Sequence, residues 1–195
     1  MYVPENYNFP TLPDYLREGL ALVFVGINPG LYAVRHGHYF ARRTNRFWPG
    51  FSRSRLSEPV RIAWGRQTLV PEDDARLLDF GIGFTDVVKL SSRNAAELPR
   101  VVFQEWAPRL LDRLAAYRPR VACFHGVTGY RAFLRYALHD QKLDMALGPQ
   151  PRRLGPTQLY VVPNPSPANA HFRLADQIAW YDHLADFLEG IQETG

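Results

Sequence analysis

The sequence predicts a single-domain α/β fold, a three-layer α/β/α sandwich around a central, mostly parallel sheet. Three observations carry that expectation. Short apolar runs at residues 20–27, 82–88, 120–124 and 159–162 are continuous, as strands buried on both faces are. Stretches with helical apolar spacing separate or follow them, the pattern of strands joined by crossover helices. Two of the runs end in Asn-Pro turns, Asn28-Pro29 and Asn164-Pro165, which carry an amide to the strand ends. Open α/β sheets bind ligands at that edge.

The elements follow in chain order. Residues 1–13 hold three prolines and read as an extended arm. Residues 14–19 read as a short helix stopped by Gly19. The first strand follows over 20–27, and residues 31–44 read as a long loop. Asn45 is placed to cap a helix that opens at Phe47-Trp48. Residues 57–71 look irregular. Residues 71–80 read as a helix, with Pro71 first, acids in the first turn and Gly81 after the end. The second strand covers 82–88. Phe103, Trp106, Leu110 and Leu114 recur at helical spacing, so 101–117 is an amphipathic helix. A strand at 120–124, a helix over 127–138 and a strand at 159–162 follow. Leu174, Ile178, Tyr181, Ala185 and Leu188 mark the last helix, 172–190.

Composition narrows the function classes. At 195 residues with 46% apolar content, the chain suits one domain over 1–195 with a sizeable core. No run of 18 apolar residues is present, so no membrane span is expected. The first residues lack a secretory signal pattern. Cys123 is the single cysteine, which leaves no disulfide framework and no Cys-ligated cluster within the chain. The expected compartment is the cytoplasm. The six His show no metal-site spacing, and no cofactor is expected. The net charge is +4, carried by 21 Arg and 2 Lys. Arg suits bidentate phosphate contacts. An Arg-rich codon preference explains the bias equally well.

The string Gly26-Ile27-Asn28-Pro29-Gly30-Leu31 offers an amide at the end of the first strand. That amide caps the turn or holds a water in a fixed orientation. Together with Gly37, Phe40 and Asn45-Arg46-Phe47-Trp48, the string closely resembles the mismatch-specific uracil/thymine-DNA glycosylases, a branch of the uracil-DNA glycosylase superfamily. Phe80-Gly81-Ile82-Gly83-Phe84-Thr85 and Val162-Pro163-Asn164-Pro165-Ser166 are similar to two further motifs of the family, in the same order. The resemblance covers about residues 20–188. It implies hydrolysis of the N-glycosidic bond of a flipped-out base. Asn28 would position the water. Phe40 would stack on the base, although alone it reads as a core residue. Ile27 and nearby backbone would read the pyrimidine edge. The uracil-restricted branch carries Tyr where this chain has Gly30, so tolerance of thymine and other C5-substituted bases is expected.

Two departures stand out. Asp86 occupies a place where the family usually has Asn or Lys. It is expected across the cleft from Asn28, stabilising a sugar cation or accepting the water's proton, or else capping a turn or pairing with Arg93. In the second turn, Ala168 and Ala170 stand where the family inserts bulk into the duplex, and small side chains make poor wedges. Asn164 and Ser166 are expected on the phosphate or sugar beside the lesion. Asn169 or His171 would take part of the opposite-strand contact. Arg42, Arg43 and Arg46 flank Phe40, and Arg152 and Arg153 precede the last strand; each group would grip phosphates or form an ordinary solvated face.

The leading reading is a monofunctional glycosylase acting on DNA with uracil or a mismatched or damaged pyrimidine. It would work as a monomer, with no metal or membrane, at the nucleoid of a bacterial cell. Lyase chemistry needs an amine nucleophile, and neither Lys89 nor Lys142 lies in a motif. A non-catalytic DNA-binding module of the same fold is the alternative. A Ser166/His171 hydrolase lacks the nucleophile elbow.

Overall fold

A computed structural model describes residues 9–140 and 146–193. Most of the extended arm and Lys142 lie outside these residues. The centre is a five-stranded sheet of β1 (Leu22–Gly26), β2 (Ile82–Asp86), β3 (Val121–His125), β4 (Gly148–Leu154) and β5 (Thr157–Val162), in the order β2-β1-β3-β5-β4. The first four in that order run parallel, and β4 pairs antiparallel with β5. Every residue of β1, β2 and β3 is buried, which is why those runs carry no polar alternation.

Side chains of the strands alternate between two cores. Leu22, Phe24, Ile82, Phe84, Cys123, Tyr160 and Val162 share one core with Phe47 and Phe51 of α2 (Phe47–Arg53) and Tyr181 and Leu184 of α6 (Leu174–Glu193). Val23, Val25, Ala122, Phe124, Leu159 and Val161 share the other with Trp106, Leu110 and Leu114 of α4 (Arg100–Tyr117) and Tyr130 and Phe133 of α5 (Val127–Tyr136). The three-layer expectation is therefore met.

Several local expectations are not. Residues 14–19 form no helix. Tyr15 instead bridges Phe84 of β2 antiparallel, with N to O distances of 2.9 and 3.1 Å. The stop signal at Gly19 is real, since its φ is +76°, but it ends a turn. Residues 31–44 begin with a short helix, α1 (Leu31–His36), ended by left-handed Gly37. The irregular stretch contains α3 (Glu58–Trp64), with Pro59 in its first turn and left-handed Gly65 at its end. Pro71–Phe80 has the expected bounds but 3₁₀ geometry. Strand β4 escaped sequence reading because it carries Pro149 and Pro151. Prolines sit in sheets only where no ladder partner is required, as on this edge strand.

Candidate active site at the carboxyl edge of the sheet

The first turn is stitched to the segment that leaves β2. The carbonyls of Gly26 and Ile27 accept from Val87 N and Val88 N, each at 2.9 Å. The Asn28 side chain extends the seam. Its Nδ2 donates to Leu90 O at 2.9 Å, Ser92 Oγ at 2.9 Å and Pro29 O at 3.3 Å. Two of these partners are carbonyls, which only accept, so the nitrogen must face them and the amide cannot be flipped. No donor among the described residues reaches Oδ1. The geometry is that of a clamped acceptor able to orient a water molecule. Gly30 sits at φ −72°, so its backbone does not need a glycine. A Cβ there would meet nothing within 4 Å. Ile27 is half-buried and packs on Gly129 of α5, 3.3 Å from where a Cβ would lie.

Phe40 is held over the same edge in a left-handed conformation, φ 55°. For an aromatic residue this costs roughly 1–3 kcal/mol and must be imposed by its surroundings. Tyr39 supplies the constraint. Its N–H donates to Asp74 Oδ2 at 2.9 Å, and its carbonyl accepts from Trp48 Nε1 at 2.8 Å. The Phe40 ring stacks on Phe47, with centroids 4.4 Å apart, and lies 5.0 Å from the ring of His125.

His125 was not anticipated from sequence. It ends β3, on the face shared by Phe24 and Phe40. Its Nε2 pairs with Tyr181 Oη at 2.9 Å, while its buried Nδ1 has no partner among the described residues. Burial pushes its pKa down to about 3, so the ring is neutral at pH 7. Extending the third run by one residue and counting in twos from Val121 and Cys123 would have placed it on this face.

Asp86 ends β2, paired in register with Gly26. It is 3% exposed, not open to a cleft. Its Oδ1 lies so close to Gly26 that a Cβ there would collide with it. Among the described residues its Oδ2 has no hydrogen-bond partner; Lys89 Nζ lies 3.8 Å away, and Asp14, Arg113 and Tyr39 also act on the carboxyl. The pairing with Arg93 is not formed, since Arg93 is exposed. A buried cluster forms around Asp86. Lys89 Nζ donates to Asp14 Oδ1 at 2.9 Å and Tyr39 Oη at 3.1 Å. Arg113 donates to Asp14 Oδ2 and to the Asp86 carbonyl, each at 2.9 Å. Tyr39 Oη spends its one proton on Pro13 O. Burial pushes Asp14 up, but Lys89, Arg113 and a hydrogen bond from Thr85 outweigh it and hold the carboxyl below its usual range. For Asp86 burial prevails. Asp14 adds to it, Lys89 and Arg113 offset only part, and the pKa is pushed up to about 6.

The second turn is fixed from within. Asn164 Oδ1 accepts from Ser166 N at 2.9 Å, Ser166 Oγ accepts from Ala168 N at 3.3 Å, and Asn169 Nδ2 donates to Asn164 O at 3.1 Å. This leaves Asn164 Nδ2 and the Ser166 hydroxyl proton as donors for a ligand. Gly126, after β3, lets the turn approach: a Cβ there would lie 2.9 Å from Asn164 Cβ. Ala168, Ala170 and His171 are exposed.

Arg46 does not join Arg42 and Arg43 on the surface, as its sequence neighbourhood suggested. It ties the two motif regions together. Its N–H donates to Pro165 O at 2.9 Å, and its guanidinium reaches Ser166 O at 2.7 Å and Asn169 O at 2.6 Å. Arg46→Ala is expected to cost about 2 kcal/mol, since charge-assisted bonds to part-buried carbonyls contribute ~1.5–3 kcal/mol. Thermal unfolding should show a midpoint lower by roughly 4–8 °C. An unchanged midpoint would show that the clamp contributes nothing to stability. Arg42 and Arg43 are exposed beside Phe40, whereas Arg152 pairs with Asp140 at 2.8 Å.

A family model described as the Uracil DNA glycosylase superfamily matches residues 13–188. The "G/U mismatch-specific uracil DNA glycosylase" of Schizosaccharomyces pombe is 30% identical over 152 residues, 77% of this chain and 45% of that protein. The chain thus spans about half the length of this relative.

Proposed function

The chain belongs to the uracil DNA glycosylase superfamily, and from that premise we propose that it excises uracil from DNA by hydrolysis, leaving an intact abasic site. The clamped Asn28 amide is the observation that carries this reading. The target base leaves the stack and rests on Phe40. Ile27 and its backbone read the pyrimidine edge. Asn28 Oδ1 accepts a hydrogen bond from the attacking water and aims its oxygen at C1′. The C1′–N bond breaks, and the base departs with the bonding pair. The Asp86 carboxylate, buried beneath Gly26, stabilises the positive charge on the sugar through its field, and the attacking water's proton passes to bulk solvent. Lys89 is buried and paired with Asp14, which supports hydrolysis over a Schiff-base route. Arg42, Arg43, Asn164, Ser166 and Asn169 are proposed to hold the DNA backbone, with Ala168 at the surface where a wedge would stand.

The open space beside Gly30 supports acceptance of thymine as well as uracil. A panel of uracil and thymine oligonucleotides, paired, mispaired and single-stranded, tests both claims. Uracil should be excised in every context. Gly30→Tyr should keep uracil excision and lower thymine excision at least tenfold. Inactivity of the wild-type protein on all uracil substrates would leave the non-catalytic reading.

A further inference from the structure

A cavity of about 700 Å³ opens between the 40–45 loop, α2 and residues 67–71. Neither Asn28 nor Asp86 lines it. Its volume falls within the range of small-ligand sites, roughly 300–1,000 Å³. One wall is apolar: Phe40, Trp48, Pro49, Val70 and Pro71. Trp48 offers only carbon there, because its Nε1 is spent on Tyr39 O. The wall is also braced. Ser52 Oγ donates to Leu69 O at 3.2 Å and accepts from Leu69 N at 2.9 Å, which ties α2 to the 67–71 segment.

The polar part of the lining is one-sided. Arg42, Arg43, Arg53 and Arg61 all contribute, and no lining residue is acidic. Arg61 is occupied by Ser57 Oγ, Gln67 Oε1 and Ser54 O. Arg42 leans over the Tyr32 ring at 5.9 Å. Arg43 and Arg53 have no hydrogen-bond or ion-pair partner among the described residues. A flat apolar wall beside two uncompensated guanidiniums matches a planar base joined to a phosphate.

We propose that this cavity receives the base of a second nucleotide, the neighbour of the target on a single DNA strand, with Arg43 and Arg53 on its phosphate. The inference rests on the glycosylase reading for the identity of the strand. Phe40 connects the two places, since its ring packs on Phe47 and His125 over the sheet edge and also lines the cavity. The exposed Ala168 and Ala170 supply the second reason. A loop without a wedge does little to open a duplex, so it suits strands that arrive unpaired. The neighbours of the target in such a strand have lost their stacking partners, and an apolar slot restores one.

The test is fluorescence anisotropy of a labelled nine-residue oligothymidylate with the full chain. Arg53→Glu and the cavity-filling Thr68→Trp should each weaken binding about tenfold. Arg131→Glu, the same charge change on α5 in the opposite layer, should shift it less than twofold. Thermal melts establish that each variant is folded, and Arg43→Glu replaces any that is not. Wild-type affinity in both cavity variants overturns the proposal. So does an equal loss in all three variants, which would reflect overall charge alone. Binding of dTMP as tight as that of the oligomer also overturns it, since the cavity would then serve a free nucleotide. Absence of uracil excision by the wild-type chain would sink the proposed function, while the oligothymidylate measurement would still report on the cavity.

Discussion

Asn28→Ala is expected to slow single-turnover excision of uracil by about a thousandfold, equivalent to ~4 kcal/mol of barrier. The effect should fall on chemistry alone. Asn28 Oδ1 is held in a fixed orientation and meets no protein donor among the described residues. Alanine removes that acceptor and the three Nδ2 bonds, and leaves the backbone seam of the turn in place. The bonds from Val87 and Val88 to Gly26 and Ile27 belong to the backbone and survive the substitution. Affinity for a duplex carrying the abasic product should therefore stay within about threefold of wild type. A rate loss below tenfold would remove Asn28 from the reaction. A parallel collapse of product binding would instead indicate a turn that needs the side chain for its shape.

Asp86→Asn should lower the excision rate about a hundredfold at pH 8 and, at the same pH, make the protein more stable. The two effects share one cause. Burial raises the folded-state pKa of Asp86 from 3.8 to about 6. The folded chain thus holds this proton over a pH range in which the unfolded chain has released it. Stability falls as pH rises through that window, by about 3 kcal/mol once both states are ionised. Asparagine cannot ionise and escapes the cost. Urea unfolding at pH 4 and pH 8 should show a variant whose advantage appears only at the higher value. The excision rate of the wild type should rise through about pH 6 as the carboxylate forms, and that of the variant should be flat there. Full activity in Asp86→Asn would make the carboxylate structural.

What sequence could and could not reveal follows from the range of the interactions. The Gly26–Gly30 turn was readable because its chemistry is local. Asn28, Pro29 and the apolar run before them specify a rigid strand end without help from elsewhere. The two-core sandwich was readable for the same reason, through the uninterrupted β1 and the helical spacing of Trp106, Leu110 and Leu114. Residues 14–19 misled because Asp14 answers to Lys89, Thr85 and Arg113, which are 71 to 99 positions away. Those partners draw the segment along β2 in place of a helix. Asp86 was singled out by its unusual identity, but its burial was invisible because Lys89, Arg113 and Tyr39 meet only in the folded chain. Arg46 looked like its neighbours Arg42 and Arg43. Only the fold brings it to the carbonyls of residues 165, 166 and 169.

The Tyr15–Phe84 bridge also bears on how copies of this chain meet one another. A five-stranded sheet has two edges, and each edge can template pairing with another molecule. The first is β2, and the segment carrying Tyr15 already occupies part of its outer ladder. The second is β4, where Pro149 and Pro151 lack N–H groups and Arg152 and Arg153 add charge. Neither side offers an unbroken row of donors and acceptors to a passing strand. The same N-terminal stretch that delivers Asp14 to the buried cluster thus also helps protect the sheet from edge-to-edge aggregation.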